Sequence, residues 1–133
     1  MNTPITKGIH HLGLTVSNLE QSADFFTSIL GWIEVRRNDD YPSIFITDNT
    51  NMITLWKAKD NGINTFNKDK NVGLHHVALK VLNESDLFDI HNALLNHNIE
   101  IEFSPELLRD GPAKHMMCIE PSGIRVEFIW PGI

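Results

Sequence analysis

One nine-residue segment occurs twice. GIHHLGLTV at 8–16 recurs as GLHHVALKV at 73–81, so His76 stands in the second copy where His11 stands in the first. A repeat on this scale means two copies of one supersecondary unit, each too small to bury its apolar face alone. Both copies lead into a helical pattern. After Val16, Ser17 and Glu20 read as a capping box, with Leu19, Ala23, Phe26 and Leu30 on one stripe. After Val81, Asn83 or Ser85 reads as the N-cap, and Leu87, Ile90 and Leu94 share a stripe. Each helix is followed by an apolar strand, WIEVRR (32–37) or IEIEF (99–103). Two more strands close each copy: SIFIT (43–47) and NMITLW (51–56), then KHMMCI (114–119) and IRVEFIW (124–130). Turns rich in Asn, Asp, Pro and Gly separate them at 48–51 and 120–123. The expected fold class is therefore α+β, a β-α-β-β-β module used twice. Module one covers about 5–58, a polar connector 57–72, and module two about 73–131, all within a single domain of residues 1–133.

Composition narrows the function classes. No apolar run approaches the ~20 residues of a bilayer-spanning helix, and the opening MNTPITKGIHH lacks the apolar stretch of a secretory leader. The single cysteine, Cys118, forms no internal disulfide, which suits a reducing cytoplasm. A net charge of −6 with no basic cluster argues against nucleic acid. The expected partner is a small-molecule substrate, with neither membrane nor nucleic acid involved.

Strand phase selects the chemistry. Successive side chains on a strand point to opposite faces, so neighbouring histidines divide between them. His10, Leu12, Leu14 and Val16 share the face that meets the helix; His11, Gly13 and Thr15 share the other. In the repeat His75, Val77 and Leu79 take the apolar face, leaving His76, Ala78 and Lys80 opposite. Along the last strand Val126 and Phe128 face the helix, whereas Arg125, Glu127 and Ile129 face away. His11, His76 and Glu127 thus lie on the open faces of three strands. Two imidazoles and one carboxylate form the donor set that holds a divalent Fe, Mn, Co, Ni or Zn ion and leaves coordination positions free. A carboxylate on a central strand needs a partner in any case, whether a metal, Arg125 or Lys80. His10 and His75 are expected to pack at strand edges, and His91 and His97 to be solvated.

With these residues in place, the chain resembles the vicinal oxygen chelate superfamily of glyoxalases, bleomycin-resistance proteins and extradiol dioxygenases. The resemblance rests on HHLGLTVSNLEQSADFFTSILGW, on the spacing of His11 and His76 from the valines that follow, and on EPSGIRVE (120–127). It implies two βαβββ modules forming a curved mixed sheet around a metal cleft, with His11, His76 and Glu127 as metal ligands. It also implies a homodimer, for which Trp56 and Trp130 offer interface area. The implied function is a divalent-metal-dependent glyoxalase-like lyase or isomerase acting on a small oxygenated substrate chelated by the metal. Alternatives are an extradiol-type Fe(II) dioxygenase and a non-catalytic ligand- or drug-binding resistance module. Glu127 and His115 are the candidate catalytic acid/base groups.

Three positions depart from particular members. Thr54 stands where glyoxalase I carries a fourth ligand, Glu or Gln. Gly13 replaces a Thr of the fosfomycin-resistance enzymes, and Met117 replaces the signature Tyr of the extradiol dioxygenases. The segments 57–72 and 104–113, read as loops, are expected to carry substrate selectivity.

Overall fold

A computed structural model describes residues 3–59 and 63–133; residues 60–62 of the connector lie outside them. The chain divides into two compact units, Met1–Lys59 and Asp60–Ile133. Each contains the expected β-α-β-β-β order and its own four-stranded mixed sheet.

In the first unit β1 (Leu12–Val16) leads to α1 (Leu19–Asp24), which continues as a π-helical turn over Phe25–Ile29. Strands β2 (Ile33–Asn38), β3 (Ser43–Thr47) and β4 (Met52–Lys57) follow. The order across the sheet is β1-β4-β3-β2, with β1 parallel to β4 and the other pairs antiparallel. One face carries Leu14, Val16, Ile44, Ile46, Ile53 and Leu55, all buried, as are Ala23, Phe25 and Phe26 of the helical segment. Gly31, with φ of 78°, ends that segment in the left-handed region, and the Trp32 N–H returns to the Phe26 carbonyl at 2.9 Å. The helix starts one residue later than the capping box predicts. Asn18, in an extended conformation, is the N-cap, and its side chain accepts from Gln21 N at 3.0 Å. Glu20 cannot close a box from there and instead pairs with Arg37 of β2.

The second unit repeats the plan with β5 (Val77–Lys80), α2 (Glu84–Asn96), β6 (Glu100–Leu107), β7 (Lys114–Ile119) and β8 (Arg125–Trp130). Its order is β5-β8-β7-β6, again with one parallel pair, β5·β8. Asn83 caps α2 in a reciprocal box with Asp86, as one of the two predicted caps. Leu87 and Leu94 are completely buried, each contributing about 1.5–3 kcal/mol through its burial. Strand β6 runs past the predicted 103 to Leu107, so the expected loop starts later. Its register shifts twice, and Pro105 is accommodated because β6 is an edge strand.

Candidate metal centre in the second unit

Register fixes which side chains share the open face of the second sheet. Ala78 of β5 and Met117 of β7 both lie opposite Glu127 of β8, and His115 lies opposite Ile129. His115, Met117, Glu127 and Ile129 therefore project to one side, while Val126 and Phe128 are buried on the other. His76 immediately precedes β5 and continues the row of Ala78. Its Nε2 is 3.1 Å from Glu127 Oε1, and His115 Nδ1 is 2.9 Å from Glu127 Oε2. The two carboxylate oxygens are thus engaged by different imidazoles. The partners of Glu127 are these histidines, not Arg125 or Lys80 as the sequence left open. Glu127 is only 8% exposed, so this pairing offsets the desolvation of a buried carboxylate. His115, whose strand face the sequence does not settle, also packs its ring on Phe103 with centroids 4.8 Å apart.

Arg125 is committed elsewhere. Its guanidinium forks onto Glu102 of β6 at 2.9 and 2.7 Å, and Nη1 lies 3.1 Å from both the carbonyl and Nδ1 of His75. The adjacent cation holds the Glu102 carboxyl below its ordinary range, and Glu102 in turn raises the Arg125 guanidinium. His75 Nδ1 is 2.8 Å from His76 Nδ1. His75 is exposed instead of packed at a strand edge, because β5 begins only at Val77. His10 is exposed for the same reason, β1 beginning at Leu12. His97 is exposed, with Nδ1 2.8 Å from the Ala93 carbonyl, whereas His91 is half-buried.

His11 belongs to the first unit. It is exposed, its Nδ1 2.9 Å from that of His10. The first sheet carries no carboxylate at the place of Glu127. Gly13 lies opposite Thr54, just as Ala78 lies opposite Glu127, so Thr54 is the counterpart of Glu127. Thr54 is buried and accepts from the Trp56 indole N–H at 2.9 Å. Trp56, half-buried, also stacks edge-on with Tyr41, ring centroids 5.0 Å apart. A Cβ at Gly13 would meet Thr54 Oγ1 at 3.3 Å, so the small residue there permits this packing.

Among the described residues, no group of three or more His, Cys, Asp or Glu side chains is arranged to hold a metal ion. The pair His76–Glu127 nevertheless fits two adjacent ligand positions. Metal–donor bonds of about 2.1 Å at a right angle put the two donor atoms roughly 3 Å apart, close to the observed 3.1 Å. Cys118 is buried beside this strand system with its thiol pushed up to about 12 by desolvation, so it supplies no thiolate.

A family model, the Glyoxalase/Bleomycin resistance protein/Dioxygenase superfamily, matches residues 8–128. The chain belongs to this superfamily. Members include lyases, isomerases and dioxygenases, commonly bind divalent metals and small-molecule substrates, and often form dimers. Among solved structures, a glyoxylase/bleomycin resistance protein/dioxygenase domain from Frankia sp. EAN1pec superposes with a TM-score of 0.83 at 23% identity. That match covers 95% of this chain and 98% of the other. A lactoylglutathione lyase from Agrobacterium tumefaciens matches at 0.73 and 16% identity, covering 96% of each chain. A fosfomycin resistance protein from Listeria monocytogenes matches at 0.74 and 13%, covering 95% of this chain and 94% of that one. These likenesses establish the fold. None of the curated proteins compared matches the chain. No helix among the described residues is long and apolar enough to cross a membrane.

Proposed function

We propose that this protein is a divalent-metal-dependent lyase or isomerase of glyoxalase type, acting on a small oxygenated substrate. The observation that carries the reading is the approach of His76 Nε2 to Glu127 Oε1 at 3.1 Å on the open face of the second sheet. His76 and Glu127 would hold the metal, one of Fe, Mn, Co, Ni or Zn. His11, the repeat counterpart of His76, is the proposed third ligand. When bound, the metal supplies Lewis-acid stabilisation of the oxyanion that develops on a chelated substrate.

The remaining chemistry belongs to the protein. His115 fixes the orientation of the Glu127 carboxylate through Oε2 and is placed to hold or pass a proton at that atom. Phe103 covers one side of the His115 ring and limits water there. Met117, opposite Glu127 and buried, has no proton to give, which weighs against the extradiol alternative. The buried free thiol accords with work in the reducing cytoplasm, and the functional unit is proposed to be a homodimer.

The test is metal analysis of protein purified without a metal-affinity tag, followed by dicarbonyl, catechol and epoxide substrates. Stoichiometric metal in wild type, lost in His76→Ala and Glu127→Gln, supports the assignment. Unchanged metal affinity in those variants rejects it. Turnover with Ni, Mn, Co or Zn separates this reading from an Fe(II)- and oxygen-dependent one. No turnover with any metal points instead to a binding module.

A further inference from the structure

Ile119 of β7 lies opposite Arg125 of β8, two residues along the open face from the Met117–Glu127 pair. The connector borders this end of the face. Its residues 66–69, with Ile119, Gly123 and Arg125, enclose a cavity of about 290 Å³ within the second unit. The connector forms a built wall there. The Asn67 carbonyl accepts from the Lys70 and Asn71 N–H groups at 3.2 and 2.8 Å, and the Asn67 side-chain oxygen accepts from the Asp69 N–H at 2.9 Å. Gly73 seats the Phe66 ring, since a Cβ at that position would stand 3.1 Å from Phe66 Cε1.

Charge does not decide what this cavity accepts. Its two cations each have a carboxylate already. Lys68 Nζ donates to Asp69 Oδ1 at 3.1 Å, and Arg125 forks onto Glu102 at 2.9 and 2.7 Å. Two cations and two carboxylates cancel, and a charged group entering among them would have to displace one of these partners. The surface left over is apolar. Phe66 is 41% exposed and Ile119 half-buried. An apolar group seated between them removes that surface from water without breaking any polar contact.

We infer that this cavity selects an uncharged apolar group on the substrate, with Phe66 as the specificity-determining residue. The inference rests on the metal reading above for the other end of the substrate. Arg125 and Glu127 are about 7 Å apart along β8, so a molecule chelated beside Glu127 reaches the cavity across a spacer of two carbons. The volume lies just under the roughly 300 Å³ at which pockets for drug-sized ligands begin, which limits the group to a single ring or a branched chain. The substrate class is therefore a pair of oxygens on adjacent carbons, as in a 2-hydroxy or 2-oxo acid, joined through two carbons to a phenyl-sized group.

The decisive measurement is calorimetric titration of the full-length, Co(II)-loaded protein with three probes that share one chelating end. 2-Hydroxy-4-phenylbutanoate carries the ring, 2-hydroxybutanoate lacks it, and 2-hydroxyglutarate has a carboxylate in its place. The phenyl compound should bind about 10–100-fold more tightly than 2-hydroxybutanoate, as burial of one ring predicts. The added carboxylate should gain no more than about threefold, because every cation there is already paired. Phe66→Ala should shrink the phenyl preference to about threefold or less, and Ile119→Ala, on the opposite wall, should cut it likewise if Phe66→Ala fails to fold. A wild type without the phenyl preference overturns the inference, as does a folded Phe66→Ala that keeps it or a 2-hydroxyglutarate that outbinds the phenyl compound. In metal-free protein, 3-phenylpropionamide should shift the amide signals of Phe66, Ile119 and Gly123, and shifts confined to other residues also overturn the inference. A wild type that binds no Co(II) but shows these shifts overturns the metal reading while supporting the cavity assignment.

Discussion

His115 Nδ1 lies 2.9 Å from Glu127 Oε2, on the carboxylate oxygen that His76 does not engage. One carboxylate is therefore met from two sides, by His115 of β7 at one oxygen and by His76 of the segment before β5 at the other. Substituting His115 with Phe keeps an aromatic ring against Phe103 and removes both ring nitrogens, including the Nδ1 that meets Glu127. Metal affinity or turnover should fall by about 10–100-fold with the fold intact, as circular dichroism and calorimetric metal titration would show. Wild-type affinity and turnover in this variant would remove His115 from the site.

Under the proposed reading, Thr54 limits which glyoxalase-type reaction the site would support. Proton transfer between adjacent carbons needs a positioned base, and the first unit offers a buried hydroxyl at the counterpart of Glu127. The methylglyoxal–glutathione hemithioacetal should therefore not turn over in the usual enzyme range of roughly 1 s⁻¹ or faster, even with Ni or Zn supplied. Lactoylglutathione formation at such a rate would contradict this and turn attention to His115 as the base.

The same residue has a structural role. Thr54→Val removes the acceptor of the Trp56 indole N–H while conserving shape. A loss of about 1–3 kcal/mol in denaturant unfolding is expected, with a change in tryptophan emission. An unchanged midpoint would mean that Trp56 finds another acceptor.

The N-cap of α1 gives a paired comparison. Asn18→Ala should cost about 1 kcal/mol, whereas Ser17→Ala, outside the cap, should stay within about 0.5 kcal/mol. Equal losses would show that the helix starts elsewhere in solution.

Glu102 carries a pH signature. Arg125 lowers its carboxyl in the folded state, so the associated stability is present above the ordinary carboxylate range and is lost as pH falls through the lowered value. Thermal melts of wild type and Glu102→Gln should differ at pH 7 and converge as pH falls below about 4. A gap that persists at pH 2–3 would assign the difference to packing instead of charge.

Much of this was legible in the sequence because it depends on short-range periodicity. The repeated GIHHLGLTV and GLHHVALKV, with period two on the strands, placed Leu14 and Val16 inside. The helical stripe likewise put Leu87 and Leu94 in the core. The same phase put Glu127 and His76 on the open face, where they meet. The Thr54–Glu127 correspondence followed from aligned strands, and the register within each sheet reproduces it. What the sequence could not fix depends on where elements stop and on which long side chains meet across strands. Ser17 and Asn18 are both good caps, and the end of β1 chose Asn18. Arg125 shares strand parity with Glu127, yet its reach carries it to Glu102 and His75. His115 became a partner of Glu127 only through the antiparallel β7–β8 pairing, which brings residues distant in the chain onto one face. Periodicity determines the face a side chain takes. Pairing register and side-chain length, both set by tertiary structure, determine whom it touches there.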